Sequence, residues 1–208
     1  MKFFVQTLFA IAALVFGFFM GIRYQARVES LNEVNTLVRV QKSKIEDLRE
    51  DNHRLKTVVL LREFLDKESI RLPEATVNDI AGSIHEASKR FELPPEMILA
   101  VIRIESAFDI NALSNKGAVG LMQIMPSTGQ EIARDLRIAW PGEDILRDPQ
   151  ANIEMGAYYL TKLIAQFNNL AVALAAYNQG PGRIAELSEA KADLPMEYTE
   201  KVLSHYTP

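Results

Sequence analysis

The sequence predicts a mostly α protein in three consecutive parts, and three observations carry that reading. Residues Phe3 to Ile22 form a run of twenty without a charge. From about Val28 to Leu65, apolar residues return every seven positions, and no Gly or Pro interrupts 22–72. Beyond Pro73, almost every segment places apolar residues at helical spacing. The expected division is a transmembrane anchor over 1–22, a coiled-coil or helical stalk over 23–72, and a helical domain over 73–208.

Twenty helical residues at 1.5 Å each cover about 30 Å, the thickness of a bilayer's hydrocarbon core. A cleavable signal peptide has a similar composition, the purest run being Leu8 to Ile22. Cleavage needs small residues at −3 and −1, and Tyr24-Gln25-Ala26 places a bulky one there. Retention as an anchor is therefore the reading adopted. Lys2 precedes the run, whereas Arg23 and Arg27 follow it, so the positive-inside rule does not favour export of the C-terminal part.

In the stalk, one seam reads Leu31, Val38, Ile45, Asn52, Val59 and the other Val34, Gln41, Leu48, Leu55, Arg62. Seven of these ten positions are apolar, as a coiled coil requires. Asn52 on the first seam is the kind of residue that fixes register in a dimer, and Asp51 and Lys56 have the spacing of an interhelical pair. Self-association is expected. A single amphipathic helix packed on a partner or on the bilayer is the alternative.

Pro73 is expected to end the rod. Val77 to Phe91 repeats apolar residues at helical spacing. Pro94-Pro95-Glu96 starts a second helix that runs to Phe108, because proline is tolerated and an acid favoured in the first turn. Residues 111–125, marked by glycine, read as a loop or short hairpin. Helices follow from Pro126 to about Leu136, from Gln150 to Gln166, and from Leu170 to Tyr177, where Gly180-Pro181-Gly182 is read as a stop. A last helix covers about Tyr198 to Tyr206.

Composition removes several functions. Lys+Arg 23 against Asp+Glu 27 leaves net −4, with no basic excess to bind nucleic acid. No cysteine is present, so disulfides, thiolate metal sites and a cysteine nucleophile are excluded. His53, His85 and His205 lie far apart without metal-ligand spacing. Neither a metal nor a cofactor is expected.

Glu105 stands out. It follows the apolar run Met97 to Ile104 and shares a helix face with Ile98, Val101 and Ile102. Burial beside those residues and proximity to the helix C-terminus both raise a carboxyl pKa toward the range of a general acid. Taken alone, this stretch favours the other reading, a boundary glutamate paired with an arginine such as Arg103 or Arg134. Asp109, one turn on, reads as a helix-ending residue. Trp140 can stack on a sugar or anchor its own loop.

Four stretches in order settle the reading of Glu105: Glu105-Ser106-Ala107-Phe108, GAVGLMQIMPSTG from Gly117, AAYNQGPGR from Ala175, and YTEKVLSHY from Tyr198. Together they resemble the catalytic domain of lytic transglycosylases, related in fold to goose-type lysozyme, over about residues 75–206. The resemblance implies a lysozyme-like helical fold and cleavage of the β-1,4 bond between N-acetylmuramic acid and N-acetylglucosamine in peptidoglycan. It implies that Glu105 is the catalytic acid and base, leaving 1,6-anhydromuramyl ends. It places Gln123, Met125, Tyr177, Asn178 and Tyr198 at the substrate, with Ser114 either a cleft residue or a loop cap. Two positions depart from the family's pattern. Gln179 stands where alanine is frequent, and Leu194 where many members carry a glutamate, with Glu197 nearby.

The function expected is thus a membrane-anchored lytic transglycosylase. The alternatives are a lysozyme-like muramidase and a non-catalytic peptidoglycan-binding scaffold. Expected partners are peptidoglycan strands, the membrane and a second copy of the chain. Because the substrate lies outside the inner membrane, the amino terminus is placed in the cytoplasm and the catalytic domain in the periplasm.

Overall fold

A computed structural model describes the backbone of residues 2–206 and the side chains of 11–206. Phe3, Gln6, Thr7 and the rest of the expected anchor's first half fall outside the described side chains. The chain is almost wholly helical. Its elements are α1 (Lys2–Lys67), α2 (Glu74–Phe91), α3 (Pro95–Ser106), α4 (Pro126–Leu136), a 3₁₀ turn (Glu143–Arg147), α5 (Pro149–Phe167), α6 (Leu170–Gln179), α7 (Pro181–Glu189) and α8 (Glu197–His205). Strand pairing among the described residues is limited to the isolated bridges Leu113–Val119 and Val119–Ile124, inside the glycine-marked loop.

The chain divides into two compact units, residues 1–52 and 53–208. In the first, the described apolar side chains from Ile11 to Ile22 are between 50% and 75% exposed. The second unit begins before Pro73, where the sequence placed the boundary. Thr57, Leu61 and Leu65 are buried, and the two leucines join the helices that follow in one core. They recur every four residues, a spacing that shares the helix with the seven-residue seam, whose Leu55 and Val59 stay exposed. Helix α1 also stops at Lys67 rather than at Pro73. Ser69 takes φ of +57°, and the Ile70 amide returns to the Leu65 carbonyl at 2.9 Å.

Helix α3 is the centre of the second unit. Ile98, Leu99, Ala100, Val101 and Ile102 are fully buried in succession, so the helix is surrounded on every side. Helices α2 and α8 pack on it, and α5 packs on α2, α4 and α6. The expected stop at Gly180-Pro181-Gly182 is a junction instead. Gly180 (φ +88°) ends α6, and Pro181 opens α7, because proline's fixed φ suits a first helical residue.

One side chain holds the loop between α3 and α4. Asn152 on α5 is fully buried; its amide nitrogen donates to the carbonyls of Val119 (2.9 Å) and Leu146 (2.8 Å), and its oxygen accepts from the Met122 amide (2.7 Å). Gly120 (φ +81°) lets the loop come this close, since a Cβ there would lie 2.3 Å from both Asn152 and the Leu146 carbonyl. Asn152→Ala leaves the Met122 amide and the Leu146 carbonyl unpaired, the Val119 carbonyl keeping the Ile124 amide, and should cost about 3 kcal/mol. Chemical denaturation of the detergent-solubilised chain measures this; a loss within experimental error would refute Asn152's role.

Candidate active site

Glu105 occupies the last turn of α3. The helix ends one residue later because Ala107 (φ +49°) and Phe108 (φ +66°) both turn left-handed. Phe108 is buried, fixing that turn to the core. The glutamate side chain is half-buried and faces a cleft of about 460 Å³. The Tyr198 hydroxyl, from the first turn of α8, donates to Glu105 Oε1 at 2.6 Å. Burial drives the Glu105 pKa from 4.5 to about 7, while the tyrosine's hydrogen bond pulls it back down. Neither arginine left open by the sequence pairs with Glu105: Arg103 is held by Glu68, and the Arg134 Nε points to the Gln130 carbonyl.

Tyr198 is itself buried, and burial raises its hydroxyl well above the usual tyrosine range, so it remains a donor. Thr199 beside it donates to the Ala171 carbonyl at 3.0 Å, tying α8 to α6.

The structure brings Glu105, Ser114, Gln123, Met125, Tyr177 and Asn178 to the wall of one cleft. Tyr198 stands behind the carboxyl. Several of these groups are committed to the protein. The Ser114 Oγ accepts from the Ala118 amide at 2.9 Å, capping the loop. Gln123 spends its amide nitrogen on the Gly120 (2.9 Å) and Ala112 (3.2 Å) carbonyls, leaving its oxygen without a partner in the described chain. The Tyr177 hydroxyl donates to the Met122 carbonyl at 2.9 Å, so the ring is what this residue offers. Met125 is 39% exposed at the start of α4, an apolar surface on a polar cleft.

Other wall residues, Gln179 among them, were given no site role from the sequence. The Tyr159 ring packs against that of Tyr177 at 5.4 Å, tilted by 50°, and Gln179 donates to Asn178 Oδ1 at 2.6 Å. Thr128 and Lys116 complete the wall, Lys116 as its one cation. A tyrosine on the α5 face that also carries Asn152 was the available signal for Tyr159; Lys116 sits in a motif loop that shows no face, and Thr128 in the first turn of α4. Glu105 is the one acid in the wall. Asp109 accepts from the Asn111 amide in the turn after α3. Glu197 pairs with Lys201 on the surface, and Leu194 packs on the small apolar cluster around Leu163 and Ala173. Trp140 packs on Gly129, where a Cβ would come within 2.9 Å of its ring.

The segment that carries this cleft is similar to known proteins. Residues 82–198, more than half of the chain, match the transglycosylase SLT domain. The soluble lytic murein transglycosylase of Escherichia coli K12 is 42% identical over 97 residues, covering 45% of this chain and 15% of that protein. The membrane-bound lytic murein transglycosylase C of Cronobacter sakazakii is 28% identical over 151 residues, covering 66% and 39%. Among solved structures, an inactive mutant of the lytic transglycosylase Slt from Pseudomonas aeruginosa superposes with TM-score 0.55 at 34% identity, over 60% of this chain and 23% of that one. The 70 kDa soluble lytic transglycosylase of Escherichia coli gives 0.51 at 30% identity, over 60% and 22%. The chain thus spans only a minor part of each of these relatives. The matched segment begins inside α2, carries Glu105 and the whole cleft, and closes on Tyr198. On the strength of that match the chain belongs to the transglycosylase SLT domain family.

Proposed function

We propose that this chain is a membrane-anchored peptidoglycan lytic transglycosylase whose acid and base are both Glu105. The observation that carries the proposal is a lone cleft carboxyl that is half-buried, raised to about 7 and gripped by Tyr198 at 2.6 Å. In the first step Glu105 gives its proton to the oxygen between muramyl and glucosaminyl residues, and the anomeric C–O bond breaks. The resulting carboxylate keeps the Tyr198 hydrogen bond, which strengthens as negative charge develops. It then takes the proton of the muramyl 6-hydroxyl, whose oxygen bonds to the anomeric carbon. The acid is regenerated, no water is consumed, and a 1,6-anhydro end results. The free Gln123 oxygen suits a sugar acetamide N–H, and Met125 and the Tyr177 ring suit sugar faces.

The anchor is supported by the N-terminal helix, which is long and apolar enough to cross a membrane and whose described apolar side chains are exposed. With a peptidoglycan substrate, the amino terminus lies in the cytoplasm and the cleft in the periplasm. The stalk self-associates as a dimer: Leu31, Val34, Val38, Ile45 and Leu48 are between 48% and 58% exposed and line one stripe.

Three measurements test these statements. Digestion of sacculi by the full chain in detergent should release muropeptides lighter by one water than reducing ends, and Glu105→Gln should lower the rate about 10²- to 10⁴-fold. Reducing ends would mean a hydrolase, and an unaffected variant would mean that Glu105 is not the acid. Because the first step needs a protonated Glu105, kcat/KM should fall as pH rises, with its midpoint near the carboxyl's value of about 7. Tyr198→Phe removes the interaction that lowers this value and should move the midpoint upward; a midpoint near 4.5 in wild type would refute a buried acid. Sedimentation should give the mass of two chains, and Val38→Lys with Ile45→Lys the mass of one; a monomeric wild type would end the dimer proposal.

A further inference from the structure

Helices α3 and α8 carry the two halves of the Glu105–Tyr198 hydrogen bond, and a third part of the chain grips both. Glu68 follows the last residue of α1, its amide bonded to the Phe64 carbonyl at 3.1 Å. Its carboxylate is 16% exposed. Oε2 accepts from Arg103 Nε at 2.9 Å and lies 2.9 Å from Arg103 Nη2; Oε1 lies 3.7 Å from His205 Nε2, beyond hydrogen-bond distance and an ion pair when the imidazole is protonated. Arg103 is two residues before Glu105 on α3. His205 is two turns after Tyr198 on α8, on the same helix face. The ring of Phe64 repeats the arrangement with apolar contacts, at 5.7 Å edge-on from Phe108 and 6.3 Å from His205. The other ring nitrogen of His205 is 2.9 Å from the Lys201 carbonyl, which fixes the imidazole to its own helix.

We propose that Glu68 is a positioning residue for the reaction: it holds Arg103 of α3 by a short ion pair and protonated His205 of α8 by a 3.7 Å charge contact, and so sets the spacing of α3 and α8 on which the Glu105–Tyr198 hydrogen bond depends. This inference rests on the function proposed above. The core does not need Glu68 to hold α3, which is fully buried along Ile98–Ile102. What the apolar contacts leave loose is sliding of one helix along the other, since dispersion has little directionality, whereas a forked arginine–carboxylate contact is directional. A 2.6 Å hydrogen bond between side chains of different helices tolerates only tenths of an ångström of such sliding. Glu68 touches neither the cleft nor Glu105, so it acts through the helices alone.

The test is a double-mutant cycle on the full chain in detergent, with sacculi as substrate. Glu68→Gln should lower kcat about tenfold with KM unchanged within about twofold. In a Tyr198→Phe background, where the hydrogen bond is already gone, it should cost less than about twofold more. An unchanged kcat, or an equal loss in both backgrounds, would overturn the proposal. If Glu68→Gln fails to fold, Arg103→Lys retains the charge and loses the fork, and should show a smaller loss with the same dependence on Tyr198; a loss independent of Tyr198 overturns it. Absence of anhydro products from wild type would instead defeat the function, a result distinguishable from an active wild type that is indifferent to Glu68.

Discussion

The site depends on a balance at one carboxyl. Burial of Glu105 disfavours its anion, and the Tyr198 hydroxyl favours it; burial is the larger effect, and the group settles near neutrality. Both effects are set by the backbone. The buried apolar stretch Ile98–Ile102 seats α3 in the core and so limits how much water reaches Glu105, and the left-handed residues Ala107 and Phe108 end the helix just after it. Tyr198 is delivered from the opposite end of the unit's sequence, so this electrostatic balance exists only when the whole unit is folded.

The cleft is built differently from its acid. Its polar side chains mostly serve the loop that forms the wall: Ser114 caps it, Gln123 bridges it, and Tyr177 ties it to α6. Asn152 satisfies the backbone groups this irregular segment would otherwise bury unpaired. The loop therefore keeps its shape without a ligand, and what remains for a substrate is a small set of acceptors and apolar surfaces held by a second layer of hydrogen bonds. A preformed wall of this kind costs little ordering entropy when a glycan strand binds.

Much of this was legible in the sequence because it is local. The proline starts at Pro95 and Pro126 mark real helix beginnings, α5 begins one residue before the expected Gln150, and the i, i+3, i+4 pattern places Glu105 at the edge of a buried face. What escaped was either ambiguous chemistry or long-range pairing. Pro181 reads equally as a stop and as a first residue, and only the tertiary packing of Ile184 in α7 decides it. Thr57, Leu61 and Leu65 carry a core-facing period that the heptad seam overlays on the same helix. Glu68 and Arg103 lie 35 residues apart, and nothing in the intervening pattern links them. Asn152 was within reach: a polar residue on a stripe with Met155, Gly156 and Leu160 has to find partners inside.

A single acid suffices for the proposed reaction because the reaction adds nothing from outside. Glycosidases that use water, or an enzyme nucleophile, need a second carboxylate across the bond to activate or supply the attacking group. Here the attacking hydroxyl belongs to the sugar whose anomeric carbon it attacks, so its effective concentration is already that of a well-placed intramolecular group. The enzyme need only lend a proton to one oxygen and recover it from another. A carboxyl with a pKa near 7 is matched to both transfers, since it gives up and regains a proton at similar cost. A second acid in the wall would add like charge beside Glu105, hold on to its proton more strongly and oppose the first transfer.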